Sequence, residues 1–289
     1  MAHCTLLQGG ELQAIVGDAS RNGVGGQQYC GLWSLTSKHR PFNAFGNSYA
    51  GLIPGELRGH APWLEVVDDN TAIVMRRADA FYPVEARAVY RVVPPWYIDH
   101  TLTFIDRQPM VPPDCSFREV SWCSYMNCPE DSRIHFLANG EWFRYVSPEH
   151  GAGSNIGPGY VPDSELEVWP QRQQRPFHWD RIARRFDQPF YYGRLGGMVL
   201  IFIFDRPRWL RFFCSPSGGG ESLLPGRTCP AWDFEWVIPR RAYQPGREYR
   251  FRVRMVYKRF VSDEDVLEEY RSAQQALGFE APPGGDANE

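Results

Sequence analysis

Glycine and proline interrupt this chain so often that only short elements fit between them. With 27 glycines and 24 prolines in 289 residues, long helices are excluded, because glycine adds backbone freedom and proline removes a helical donor. The segments between interruptions are rich in β-branched and aromatic side chains, which suit a pleated, half-buried surface. Aromatic residues alone make up 15% of the chain. The expected fold class is all-β, built of short strands and turns.

Several strands can be read directly. Residues 3–17 pattern as two strands joined at Gly9-Gly10. From Trp63 onward WLEVVDD, TAIVMRRA and VEARAVYRVVP alternate, with breaks at Asp69-Asn70 and Pro94-Pro95. In WYIDHTLTFIDR, Tyr97, Asp99, Thr101 and Thr103 fall on one face and Ile98, His100, Leu102 and Phe104 on the other. His100 therefore reads as a satisfied core histidine before a catalytic one. Met198 to Phe204 reads as a buried strand, and REYRFRVRMVYKRF as a strand with one wet face.

One helix is signalled. Ser262 is its N-cap, Asp263, Glu264 and Asp265 fill the first turn, Val266, Leu267, Tyr270, Ala273 and Leu277 recur at helical spacing, and Gly278 stops it. Residues 1–279 are expected to form one β domain and 280–289 a disordered tail.

Two long stretches lack a period. Asp18 to Gly59 is either a functional loop or hides strands, with Asn47, Tyr49 and Glu56 as candidates for a cleft rim. Residues 152–180 read as a long loop, a lid carrying Trp169, His178 and Trp179 or an inert insertion. The run Gly218 to Gly220 is a tight turn, since no Lys-Ser or Lys-Thr follows it as a phosphate loop requires.

A net charge of -3 and a pI near 6.2 supply no basic field for nucleic acid or anionic membrane. An acidic polysaccharide stays open. The seven cysteines form no C-x-x-C pair, so reduced, mostly buried thiols are expected and no metal centre. Neither a leader nor a membrane-spanning run is recognisable, which suggests a soluble, cytoplasmic protein.

Chemistry concentrates in two places. Ser121 to Gly151 carries Trp122, Tyr125, Trp142, Phe143 and Tyr145, with Asn127, Glu141, Glu149 and His150 between them. Such a mixture suits a carbohydrate-facing surface, where rings cover apolar sugar faces and a few polar groups orient hydroxyls. The plainer reading is that these rings fill a β core. Later, PAWDFEWVIP puts Trp232, Phe234 and Trp236 on one face and Asp233 and Glu235 on the other, the carboxylates about 6–7 Å apart along the backbone. On a concave face they would divide acid and base roles; on a solvated outer face they would do nothing.

The segments YRVVPPWYIDHTLTFIDR, SWCSYMNCPEDSRIHFLANGEWF, FYYGRLGGMVLIFIFDR with CSPSGGG, and PAWDFEWVIP resemble the galactose mutarotase-like proteins, most closely a bacterial branch of them. The resemblance runs from about Trp63 to Phe260. It implies an antiparallel β supersandwich and a carbohydrate ligand, with no metal or cofactor. Aldose epimerases of that kind protonate the ring oxygen with a histidine and take the anomeric proton with a late glutamate. The local sequences around those groups have no clean counterpart here. By order and residue type, His150 stands as the acid and Asp233 or Glu235 as the base. Trp122, Tyr125, Asn127, Trp142, Tyr191, Arg194 and Trp232 stand as sugar contacts. Cleavage of an oligosaccharide is a second reading, by a lyase whose base and uronate-neutralising cation Tyr125, Tyr191, Tyr192, His150 and Arg194 would supply, or by a glycosidase. Sugar binding without turnover is a third.

Overall fold

The structure, a computed structural model, describes residues 3–18, 29–46, 51–58, 62–111, 116–149, 153–161, 182–216 and 229–282. Strands β1 (Cys4–Gly9), β2 (Leu12–Gly17) and β3 (Gly31–Ser37) form a small sheet in that order. A nine-stranded sheet runs in the order β11 (Glu141–Tyr145), β10 (Ile134–Ala138), β14 (Phe190–Leu195), β15 (Met198–Phe204), β18 (Glu248–Arg259), β8 (Tyr97–Asp106), β7 (Val84–Val93), β6 (Thr71–Arg76) and β5 (Trp63–Asp68). A six-stranded sheet runs β13 (Arg184–Phe186), β12 (Asn155–Pro158), β16 (Leu210–Ser215), β17 (Ala231–Pro239), β9 (Phe117–Cys123) and β4 (Ile53–Pro54). Pairing is antiparallel throughout except between β12 and β13. β3 and β4 are strands that the irregular stretch before residue 59 conceals.

The nine- and six-stranded sheets face each other across an aromatic core. Phe204 of β15 meets Phe234 and Trp236 of β17 at ring separations of 4.7 and 5.7 Å. Trp236 stacks on Phe251 of β18 at 4.6 Å, and Trp122 of β9 stacks on Phe234 at 5.1 Å. Each such ring stabilises the fold by roughly 1.5–3 kcal/mol through removal from water. Hydrogen bonds also join the layers, as where the Tyr191 hydroxyl donates to the Trp232 carbonyl at 2.6 Å. Beside it, the Trp232 ring lies so close over Gly193 that an added methyl would overlap it.

His100 sits in this core, on the apolar face of β8 that its alternation predicts, and is 1% exposed. The Trp122 indole N–H donates to His100 Nε2 at 3.0 Å, so Nδ1 carries the hydrogen and donates to the Val89 carbonyl at 3.1 Å. Burial pushes the imidazole down to about 3, which keeps it neutral.

The helix, α1 (Asp263–Leu277), begins and ends where its signals place it. Ser262 Oγ accepts from the Asp265 N–H, and Gly278 closes the helix in the left-handed conformation at φ 60°. Its apolar stripe, Val266, Tyr270 and Ala273, covers Val199, Ile201 and Val256 on the outer face of the nine-stranded sheet. That cover corrects the reading of β18: only Glu248 to Arg252 keeps an alternating wet face, and Arg254 to Lys258 are buried. Lys258 is held there by Glu269 and Asp265 at 2.5 and 2.9 Å, and Glu269 also accepts from the Trp96 and Tyr97 side chains. Among the described residues no helix is long and apolar enough to cross a membrane.

Candidate active site on the six-stranded sheet

Because Trp232, Phe234 and Trp236 point into the core, Asp233 and Glu235 face the opposite side of the six-stranded sheet. Strand pairing decides their neighbours. Asp233 is level with Phe213 of β16 and, by continuation of the Phe234 to Trp122 pair, with Cys123 of β9. Glu235 lies between Arg211 and Ser121. The short strand β4 pairs with β9 at Ile53 and Cys123 and carries a single 3₁₀ turn, Gly55 to Leu57, along the sheet edge. Arg58 leaves that turn and donates from Nη2 to Cys123 Sγ at 2.9 Å, with its guanidinium 4.4 Å over the Tyr29 ring. Tyr29 in turn meets Tyr125 edge-on at 6.5 Å.

The result is a buried acid beneath three partly buried side chains. Asp233 is 4% exposed, while Arg58, Tyr29 and Tyr125 are only partly buried. The Ser124 N–H donates to Asp233 Oδ1 at 2.6 Å. Burial pushes the Asp233 carboxyl up to about 8, against the opposing pull of the Ser124 N–H and the Arg58 charge. Such a group gives or accepts a proton near neutral pH. Ser124 Oγ and Arg58 Nε are buried polar atoms with no hydrogen-bond partner among the described residues.

The next row is more deeply set. Burial, reinforced by the like charge of Glu119, holds the Glu235 carboxyl well above its ordinary range. Burial also lowers the Arg211 guanidinium, which the Glu235 charge opposes. Neither carboxylate of the PAWDFEWVIP run is on a solvated face; both are buried. Among the described residues, no group of three or more His, Cys, Asp or Glu side chains is arranged to hold a metal ion.

No protein-family model matches the chain and no curated protein is similar to it in sequence. Among solved structures, a candidate aldose 1-epimerase from Escherichia coli K12 superposes with a TM-score of 0.50 at 10% identity, covering 89% of this chain and 99% of that one. The fold is galactose mutarotase-like. An aldose epimerase homologue from C. elegans aligns at 9% identity with a TM-score of 0.49, over 89% of this chain and 100% of its own. A candidate mutarotase from Salmonella typhimurium aligns at 9% identity and 0.48, over 88% and 90%. At 10% identity the likeness to the Escherichia coli protein is one of fold.

Within this mutarotase-like sandwich, the sugar contacts expected from sequence separate into three groups. Trp122, Tyr191 and Trp232 are fully buried between the sheets, where their rings pack on other rings and no ligand reaches them. The β-core reading of these aromatics is the one their packing fits. Trp142 and Arg194 lie on the far side of the nine-stranded sheet, Trp142 against Phe190 and Tyr192, Arg194 over Phe260 at 4.3 Å. The core therefore stands between them and Asp233. Tyr125 is at the rim, and Asn127 beside it donates from its side chain to the Asn43 carbonyl at 2.8 Å. Glu56, expected at a cleft rim, is buried in an ion pair with Arg118 at 3.2 Å. His150, Asn47, Tyr49, Trp169, His178, Trp179 and the Gly218 to Gly220 turn lie outside the described residues.

Sequence reasoning missed Arg58, Tyr29 and Cys123. Arg58 and Tyr29 come from the stretch without a period, and only the β4 to β9 pairing brings Arg58 beside Asp233. The one local signal was composition: an arginine directly after Gly-Glu-Leu, within a segment rich in glycine and aromatics.

Proposed function

We propose that the protein is a sugar-active isomerase of the mutarotase kind, in which Asp233 transfers protons at the anomeric centre. The observation that supports this is the juxtaposition of a buried Asp233, whose carboxyl burial raises to about 8, with the partly buried Arg58, Tyr29 and Tyr125. A neutral carboxyl can act at both ends of a hemiacetal. As the bond between C1 and the ring oxygen breaks, Asp233 gives its proton to that oxygen, and its other carboxyl oxygen takes the proton of the anomeric hydroxyl. The open aldehyde then rotates, and reclosure on the opposite face returns both protons. Asp233 ends each cycle as it began. The N–H of Ser124 favours Oδ1 as the accepting oxygen, and Arg58 and Tyr125 supply hydroxyl-binding groups at the rim.

His150 and Glu235 belong to the same proposal as further proton-transfer groups. The test is a panel of pure α-anomers followed by proton NMR. Wild type is expected to equilibrate at least one sugar faster than buffer and Asp233→Asn is not. No acceleration of any hexose, pentose or uronic acid by the wild type would defeat the reading.

A further inference from the structure

Six cysteines fall among the described residues, and five of them are buried. Two of these approach each other: Cys128 Sγ lies 3.9 Å from Cys229 Sγ. Their positions follow from an extension of the β9 to β17 pairing. Beyond the end of β9 the ladder continues through Trp232 N–H to the Ser124 carbonyl at 2.8 Å and Met126 N–H to the Pro230 carbonyl at 2.9 Å, with Tyr125 bridging Ala231. Cys128 and Cys229 stand at the close of that extension. A third segment fastens the same place, since the Asn127 N–H donates to the Ala44 carbonyl and the Gly46 N–H to the Tyr125 carbonyl, each at 2.9 Å. Gly46 is packed so tightly there that an added Cβ would come within 2.5 Å of Cys229 Sγ. The left-handed backbone of Cys128, φ 47°, belongs to the turn that ends the segment.

We propose that Cys128 and Cys229 form a reversible disulfide when the protein meets a small oxidant of the peroxide class. The Cys128 N–H donates to the Met126 carbonyl at 3.0 Å, the Pro230 carbonyl next to Cys229 accepts from the Met126 N–H, and the two thiols already converge. A disulfide has its sulfurs about 2.05 Å apart, so side-chain rotation with a slight shift of the turn is enough to close the gap. In the step itself, one sulfur attacks the peroxide, becomes a sulfenic acid and releases water. The second sulfur then displaces that hydroxyl, the S–S bond forms and a second water leaves. The protein loses two electrons and two protons, and a dithiol reductant restores them. Exposures of 5% and 1% favour a small oxidant over a bulky one. The link would join residues 101 apart in sequence and fasten the ladder end next to Asp233. Closing so long a loop restricts the unfolded chain and favours the fold. This inference is independent of the sugar reading.

The test uses the full chain, reduced and then treated with hydrogen peroxide, with remaining thiols alkylated under denaturing conditions before mass spectrometry. The expected result is two fewer alkylatable thiols than the seven of the reduced protein, a peptide pair joined through Cys128 and Cys229, and full reversal by dithiothreitol. The oxidised wild type is expected to melt several degrees above the reduced form, and Cys128→Ser or Cys229→Ser to show no such shift. An unchanged thiol count, a link through any other pair, or sulfinic acid in place of the bond would overturn the proposal. If either serine variant fails to fold, the peptide map of the wild type decides alone.

Discussion

The Ser124 backbone N–H donates to Asp233 Oδ1 over 2.6 Å, tying the end of β9 to a carboxyl more than one hundred residues later. This bond helps set the acid's environment. It fixes Oδ1 as an acceptor, and burial raises the carboxyl to about 8 against that bond's opposing pull. The Arg58 guanidinium, held on Cys123 next door, limits how far that shift goes.

The rate of anomer exchange is expected to depend on Asp233 being protonated. Its carboxyl is raised from 3.8 to about 8, so kcat/KM should hold steady below that value and fall as pH rises through it. Asp233→Asn should lose roughly 10²–10⁴-fold, the usual reach of general acid–base catalysis. Between pH 4 and 8 the unfolded aspartate ionises while the folded one stays neutral, so the residue lowers stability as pH rises across that window. Urea titrations of Asp233→Asn should therefore show a flatter pH dependence than wild type. An equal slope in both would contradict the neutral assignment.

Removing Arg58 takes away a positive charge that favours the ionised carboxyl. In Arg58→Ala the alkaline bend of the pH–rate profile is expected to move upward from about 8. A downward move, or none, would show that the guanidinium does not act on Asp233.

His100 joins the Val89 carbonyl and the Trp122 indole N–H within the core. Truncation to Ala leaves the indole N–H buried and unsatisfied and opens a cavity in the core, and should cost about 2–4 kcal/mol in chemical denaturation at pH 7. The folded imidazole sits at about 3 against 6.5 ordinarily, so only the unfolded state takes up a proton as pH falls from 6.5. Its stabilising contribution is thus complete above pH 6.5 and shrinks below it. The gap between wild type and His100→Ala should narrow at pH 4.5.

Gly193 leaves room for the Trp232 ring between the sheets. Gly193→Ala puts a methyl into that ring, and overpacking of this kind costs roughly 1–3 kcal/mol. A thermal melt of the purified variant measures it, and an unchanged midpoint would mean that the sheets yield easily.

Much of the fold was legible because it rests on local pattern. Alternation in WYIDHTLTFIDR sorted β8 into its two faces and marked His100 as core, and caps at Ser262 and Gly278 bounded the helix. The same logic placed Asp233 and Glu235 opposite the tryptophans of β17. It did not reveal that this second face is buried too, nor that α1 covers the later half of β18. Burial on the outer side of a sheet comes from elements distant in sequence, which leave no period in the strand itself.

For the site, residue type alone was the weakest guide. Trp122, Trp142 and Tyr125 look alike as aromatic neighbours in one stretch, yet they end in the core, on the far sheet and at the rim. The sequence by itself determined that the chain is all-β with one capped helix near its end, because propensity, alternation and capping act over a few residues; the packing of its strands into two facing sheets was implied only by the family resemblance. Only the tertiary structure decided that Arg58, Tyr29, Tyr125 and Asp233 share one place. That assembly depends on β4 and β17 both pairing with β9, and strand pairing between distant segments is governed by register and packing across the whole sheet.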